Sequence, residues 1–129
     1  NWGLALAKTK DFNQAKSVIE KGLLIDSTSK SLNTNWDYVM LEFAQFEYKN
    51  NRFEEAIGIL IEGMQRRKTN RTKYLQLIEG YYNDTAIGML QQGNVQQGID
   101  RLQAGLKLIP YSQTLQNNLG LATRQKSQK

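Results

Sequence analysis

The sequence predicts an all-α fold, and two observations carry that prediction. Apolar residues recur three and four positions apart along most of the 129 residues, which is the spacing of one face of an α-helix. The chain has one proline, Pro110, so little in its local chemistry interrupts helices. We expect about seven helices, at roughly 1–9, 12–25, 34–49, 53–67, 72–91, 95–108 and 112–125.

Three segments of the chain share one pattern of residues. Each begins with a large apolar residue, and further apolar or small residues follow at offsets of +3, +7, +10 and +11. The segments begin at Phe12, Phe53 and Val95. Polar pairs typical of turns or helix caps precede them, namely Lys10-Asp11, Asn51-Arg52 and Gly93-Asn94. Each unit is therefore predicted to contain a helix, a tight turn and a second helix.

Small residues recur where two helices of a unit would approach each other. This arrangement resembles the tetratricopeptide repeat, whose unit has 34 residues. Gly3, Ala44 and Ala86 match its small position 8, and Phe12 and Phe53 match its aromatic position 17, where Val95 is a weaker fit. Ala15, Ala56 and Gly98 match its position 20, Gly22, Gly63 and Gly105 its position 27, and Pro110 its position 32. Leu119-Gly120 then opens a fourth unit.

The resemblance implies a right-handed superhelical α-solenoid of antiparallel helix pairs. It covers the whole chain as a single repeat domain, with units at about 1–29, 34–68 and 72–110 and a terminal helix at 112–125. The spacing departs from the family, because Ala15 and Ala56 are 41 residues apart and Ala56 and Gly98 are 42 apart. The extra residues fall near 27–36 and 66–79, as early helix starts or as long loops.

The resemblance also implies a concave groove, lined by the first helix of each repeat, that binds a peptide segment of another protein. The groove positions hold Lys8, Tyr38, Leu41, Gln45, Tyr48, Lys49, Asn83, Ile87, Leu90, Asn117, Leu121 and Arg124. These side chains suit a partner with apolar anchors and moderate negative charge. The expected function is a non-catalytic protein–protein interaction scaffold, although the same residues could pack between repeats.

One subclass of the family is disfavoured. Repeats that clamp the acidic C-termini of chaperones need Lys, Asn and Arg on successive first helices. The matching positions here hold Leu4, Glu42, Gly80 and Asp84, or, one unit along, Leu41, Gln45, Asp84, Thr114 and Asn118. Acidic and apolar side chains would not retain a carboxylate.

Positive charge is concentrated in the second half of the chain. Residues 1–65 carry seven Lys and Arg against nine Asp and Glu, whereas residues 66–129 carry ten against three. The densest run is Arg66, Arg67, Lys68, Arg71 and Lys73. It could bind phosphates or an acidic partner, or it could be a solvated turn whose cations favour the C-terminal end of the preceding helix.

Tyrosines close to the basic run raise an alternative, which is single-stranded nucleic acid. Tyr74, Tyr81 and Tyr82 follow it. Tyr81 and Tyr82 are adjacent, however, so on a helix they point about 100° apart and cannot form one stacking row. The sequence therefore ranks nucleic acid below a protein partner.

The composition argues against catalysis. The chain has no histidine and no cysteine, which removes the usual nucleophile–base pairs and the imidazole and thiolate ligands of zinc. We expect no enzyme activity, no cofactor and no metal. Gly58 and Gly88 fall inside predicted helices, without a phosphate-binding motif, and we attribute both to close helix–helix approach.

The N-terminus suggests that the chain was cut from a longer one. It begins with Asn1 and shows neither a leader peptide nor an apolar run of the roughly 18 residues that a membrane span needs. The compartment stays open, with the cytoplasm as the default. Trp2, Leu4 and Leu6 would expose an apolar face there, so self-association is a third alternative.

Overall fold

In the computed structural model, residues 11–127 are described, and this part of the chain is all-helical. Its helices are α1 (Phe12–Ile25), α2 (Lys30–Lys49), α3 (Phe53–Arg66), α4 (Arg71–Gln91), α5 (Val95–Leu108) and α6 (Gln113–Ser127). A short 3₁₀ turn at Lys68–Asn70 precedes α4. The predicted all-α class is confirmed, and the helix expected at 1–9 lies outside the described residues.

The residues that lengthen the units are mostly helical. Helix α2 has 20 residues and α4 has 21, whereas α1, α3 and α5 have 14 each. The backbone N–H of Leu32 donates to Ser29 Oγ over 3.2 Å, so Ser29 caps α2. The helix therefore begins at Lys30, four residues before the predicted start. Most residues of the stretches 27–36 and 66–79 therefore belong to α2, which begins at Lys30, and to α4, which begins at Arg71. Long loops do not account for the extra residues.

The turn from α2 to α3 and the turn from α4 to α5 each contain one residue in the left-handed region. Asn51 has a φ of 63° and Gly93 a φ of 84°, and they lie 42 residues apart. In each turn the next backbone N–H reaches back into the preceding helix: Arg52 donates to Glu47 O and Asn94 to Met89 O, both over 2.9 Å. These bonds satisfy carbonyls at the helix end and hold the chain for an immediate reversal.

The chain divides into two compact units, Asn1–Tyr74 and Leu75–Lys129. In the first unit α1 packs against α2 and α2 against α3. The Phe12 ring stacks on Phe43 with centroids 5.1 Å apart. Ile19, Met40 and Leu60 are fully buried, so all three helices contribute to one core.

In the second unit α5 packs against α6, and α4 approaches α5 closely. Ala86 on α4 is fully buried, and its carbonyl oxygen lies 3.3 Å from the point where Gly98 would carry a Cβ. Ile78, Leu102 and Leu115 fill the core. The small residues expected at Ala86 and Gly98 therefore allow the approach.

The glycines of the helices differ in their surroundings. A Cβ added at Gly63 would lie 2.6 Å from Tyr74 Cε1, and one at Gly105 would lie 2.9 Å from Leu115 Cδ1, so both glycines make room for a neighbour. In the part of the chain that the structure describes, nothing lies within 4 Å of a Cβ at Gly58 or Gly88. The expectation of close helix approach at Gly58 and Gly88 is wrong, because both face open space.

Among the helices of the described residues, none combines the length and the apolar character required to traverse a lipid bilayer.

Candidate peptide-binding cleft

A buried carboxylate organises the junction between α3 and α4. Asp37 on α2 is 8% exposed, and its Oδ1 accepts a 2.6 Å hydrogen bond from the Tyr74 hydroxyl. Its Oδ2 accepts from Arg67 Nε over 2.9 Å and from Asn70 Nδ2 over 3.0 Å. One side chain of α2 thus fixes the end of α3, the 3₁₀ turn and the start of α4.

Tyr74 closes the junction from the side of α4. Its ring is fully buried and lies over Gly63 of α3. Burial, and then the hydrogen bond to Asp37, raise the pKa of Tyr74 well above its ordinary value. The hydroxyl therefore stays protonated as the donor to Asp37 throughout the neutral pH range.

A cleft of about 400 Å³ opens beside this network, between α2 and the start of α4. Its lining residues are Thr34, Asp37, Tyr38, Leu41, Glu42, Asn70 and Lys73. Tyr38 is 41% exposed and Leu41 is half-buried, so the walls offer aromatic and aliphatic surface. Because Asp37 and Asn70 belong to the hydrogen-bond network, the floor of the cleft is fixed by the fold.

The cleft brings together two of the predicted groove residues, Tyr38 and Leu41, with one residue of the predicted basic run, Lys73. Gln45, Tyr48 and Lys49 follow on the same helix without lining it. Lys8 lies outside the described residues.

Sequence reasoning missed Thr34, Asp37, Glu42 and Asn70 as lining residues. Thr34, Tyr38 and Leu41 are spaced by four and three residues, which is the signal of one helix face that could have found Thr34.

The remaining groove residues belong to the second unit, where they have different surroundings. Asn83 on α4 accepts a hydrogen bond from the Asn118 amide on α6. Leu90 packs over Gly98 of α5, its Cδ2 lying 2.7 Å from the position of an added Cβ, and Ile87 is half-buried. The predicted groove residues on α6 are exposed, namely Asn117, Leu121 and Arg124.

The structure divides the basic run into two groups. Arg67 is half-buried and is bound to Asp37, and the Arg66 guanidinium lies 4.9 Å from the centroid of the Trp36 ring and 3.9 Å from Glu20 Oε2. Arg67 therefore belongs to the buried network, and Arg66, although exposed, lies against Trp36 and Glu20. The interpretation as a solvated turn did not foresee these contacts. Lys68, Arg71 and Lys73 are exposed and form no ion pair with any residue in the described range 11–127.

A second cleft, of about 440 Å³, lies on α1, α2 and α3 of the same unit. Its lining residues are Glu20, Trp36, Glu62, Gln65 and Arg66. Its charged residues are already paired, because Glu62 bonds to the neighbouring Lys16 over 2.6 Å and Arg66 lies beside Glu20. Trp36 is 1% exposed, and its Nε1 donates to Gly63 O. This cleft therefore offers little apolar surface for a partner.

In the described part of the chain, no three Asp or Glu residues converge in a way that could hold a metal ion. No protein-family model matches the chain, and a search of curated proteins finds no match either. The resemblance to the tetratricopeptide repeat accordingly remains a prediction from the residues that carry it.

Proposed function

We propose that this chain is a non-catalytic scaffold that binds a peptide segment of another protein in the cleft between α2 and α4. The observation that carries the proposal is the juxtaposition of Tyr38 and Leu41 at an opening whose floor is fixed by Asp37. A rigid floor lowers the entropic cost of binding, because the walls need not be ordered by the ligand. Tyrosine adds a large contact area with a polar tip.

The absence of catalysis in this proposal is supported by the state of the buried carboxylate. Asp37 already accepts three hydrogen bonds, so its oxygens are committed to the fold and are poorly suited to proton transfer. The chain has no histidine and no cysteine to supply another base or nucleophile.

Nucleic acid is the weaker alternative. Two of the three tyrosines that follow the basic run, Tyr74 and Tyr82, are buried, so neither can stack on a base. Self-association through the N-terminal face depends on residues outside the described range.

The test uses a phage-displayed library of random peptides selected on the intact chain. Selected peptides are synthesised, and their affinities are measured for the wild type, for Tyr38→Ala/Leu41→Ala and for Tyr111→Ala. Tyr111 is the matched control, because it is an exposed tyrosine that does not line the cleft. The helical circular dichroism of the variants should equal that of the wild type.

We expect the double variant to lose most of its affinity and the control to keep it. Loss of an aromatic anchor and its neighbour in an interface commonly weakens binding by about 2 kcal/mol or more, roughly a factor of 30. Equal affinity in all three proteins, or a failure of the wild type to select any peptide, would overturn the proposal.

A further inference from the structure

We propose that the segment bound in this cleft is acidic, with carboxylates beside an apolar anchor, that Lys73 contacts it, and that Arg71 and Lys68 attract it at longer range. This inference rests on the proposed function and adds the chemistry of the partner. It follows from which charges around the cleft remain unmatched within the chain.

The negative charge on the floor of the cleft is already matched. Asp37 forms an ion pair with Arg67 and also accepts hydrogen bonds from Asn70 and Tyr74. A ligand therefore meets a carboxylate whose charge is paired with Arg67 and which already accepts three hydrogen bonds. Among the described residues, the other acid that lines the cleft is Glu42, which is half-buried.

The positive charge at the cleft is not matched. Lys73 lines the cleft and is exposed. Lys68 in the 3₁₀ turn and Arg71 at the start of α4 are exposed as well. None of the three forms an ion pair with a residue in the described part of the chain. Glu42 offsets Lys73 among the lining residues, whereas Lys68 and Arg71, which precede Lys73 by five and two residues, make the surroundings of the cleft positive. These surroundings attract anions and repel a basic segment.

An acidic peptide fits this surface better than a nucleic acid does. Within the range 11–127, Tyr38 is the one aromatic residue that lines the cleft, whereas single-stranded nucleic acids are held by successive stacked bases. Leu41 provides aliphatic surface beside Tyr38, which matches an apolar side chain. The arrangement suits an apolar anchor between α2 and α4 with acidic residues on the side of α4.

The experiment compares two variants of equal net charge, and the charge beside the cleft is reversed in only one of them. One protein carries Arg71→Glu/Lys73→Glu, and the control carries Lys21→Glu/Lys107→Glu, in which two exposed cations that do not line the cleft are reversed. Glutamate is tolerated in the first turn of α4, since negative charge is favourable at a helix N-terminus. Both variants and the wild type are used to select from the random peptide library.

We expect the wild type and the control to select acidic peptides, and the cleft variant to select neutral or basic ones. The best wild-type peptide should bind the cleft variant about tenfold more weakly or worse, since the contact with Lys73 becomes repulsive and the positive charge of Arg71 nearby is reversed. Its affinity for the wild type should fall as salt is added.

The outcomes separate the two proposals. If the wild type selects peptides that depend on Tyr38 but show no acidic preference, or if both variants bind them equally, the acidic partner is refuted while peptide binding stands. If it selects no peptide, both proposals fail. A random single-stranded oligonucleotide that binds through Arg71 and Lys73, when no peptide does, would assign these cations to nucleic acid and refute both.

Discussion

Two junctions of the molecule solve the same packing problem with different chemistry. Where α3 leads into α4, Gly63 receives the ring of Tyr74, and where α5 leads into α6, Gly105 receives the side chain of Leu115. Each junction also uses a carboxylate at an equivalent place, since Asp37 on α2 and Glu79 on α4 lie 42 residues apart. Asp37 accepts three hydrogen bonds, whereas Glu79 accepts a 2.6 Å bond from Ser112, which in turn caps α6.

The difference shows what the first junction gains from its polar network. A leucine over a glycine is held by packing alone, and its methyl groups can shift. A tyrosine held at its hydroxyl by Asp37 and at its ring by Gly63 has little freedom. The network lies beside the candidate cleft, so rigidity is found where a partner would be bound.

The largest expected effect is that of removing Asp37. Asp37→Ala leaves Arg67 and the Tyr74 hydroxyl without their shared acceptor, and we expect a loss of about 3 kcal/mol in the free energy of unfolding. Glu79→Ala at the second junction should cost about 1 kcal/mol, the usual size for one hydrogen bond. Urea unfolding followed by circular dichroism measures both. Equal losses in the two variants would show that the network adds nothing to packing.

A smaller effect is expected from filling the glycine at the first junction. Gly63→Ala forces its new Cβ into the held ring of Tyr74, which should cost about 2 kcal/mol of stability. Gly58→Ala is the matched control on the same helix, and because that position is open it should gain about 1 kcal/mol from helix propensity. Thermal unfolding compares the two. Destabilisation by both substitutions to the same degree would contradict the close contact.

The pH dependence of stability should distinguish the junctions only in alkali. The pKa of Tyr74 is raised in the folded chain, so its contribution is complete below about pH 10, where the unfolded tyrosine also keeps its proton. Above that pH the unfolded chain releases the proton first, and stability falls by about 1.4 kcal/mol per pH unit until the folded pKa is reached.

Tyr74→Phe is the control for this dependence, since it keeps the ring and removes the proton. Subtracting its stability profile from that of the wild type cancels the lysines, which titrate in the same range. A difference that does not change between neutral pH and alkali would show that Tyr74 ionises as freely in the folded chain as in the unfolded one.

The periodic segments of the sequence were sufficient to predict the helices. Helices α1 and α5 have the predicted bounds, and α3 differs by one residue at its end. The start of α2 was placed four residues late, because Ser29 lies in a polar stretch where a cap and a loop residue look alike. Tyr74 was considered as a base-stacking residue, yet it is buried. The sequence did not indicate this, because the ring packs against a glycine 11 residues earlier on another helix.

The candidate site was predictable only in part. Tyr38 and Leu41 follow from the resemblance, and Lys73 from the charge run. Asp37 could not be found, because a carboxylate next to Trp36 and Tyr38 has no local sign of burial, and the partners that neutralise it lie 30 to 37 residues further along the chain. Long-range polar pairs of this kind leave no periodic trace in a sequence.

The left-handed turns determine where such a chain could be lengthened by duplication of its own coding sequence. A break between α3 and α4 would separate Gly63 from the ring shaped to fit it. A copied stretch from Arg52 to Gly93 starts and stops in the turns and carries Gly63 and Tyr74 together. Joined in tandem, it places Gly93 before Arg52 where Asn51 stands now, so a residue suited to positive φ is retained. The segment that can be duplicated without breaking these contacts therefore runs from one left-handed turn to the next and contains α3 and α4. Its boundaries lie between the two helices of each antiparallel pair, α2–α3 and α4–α5.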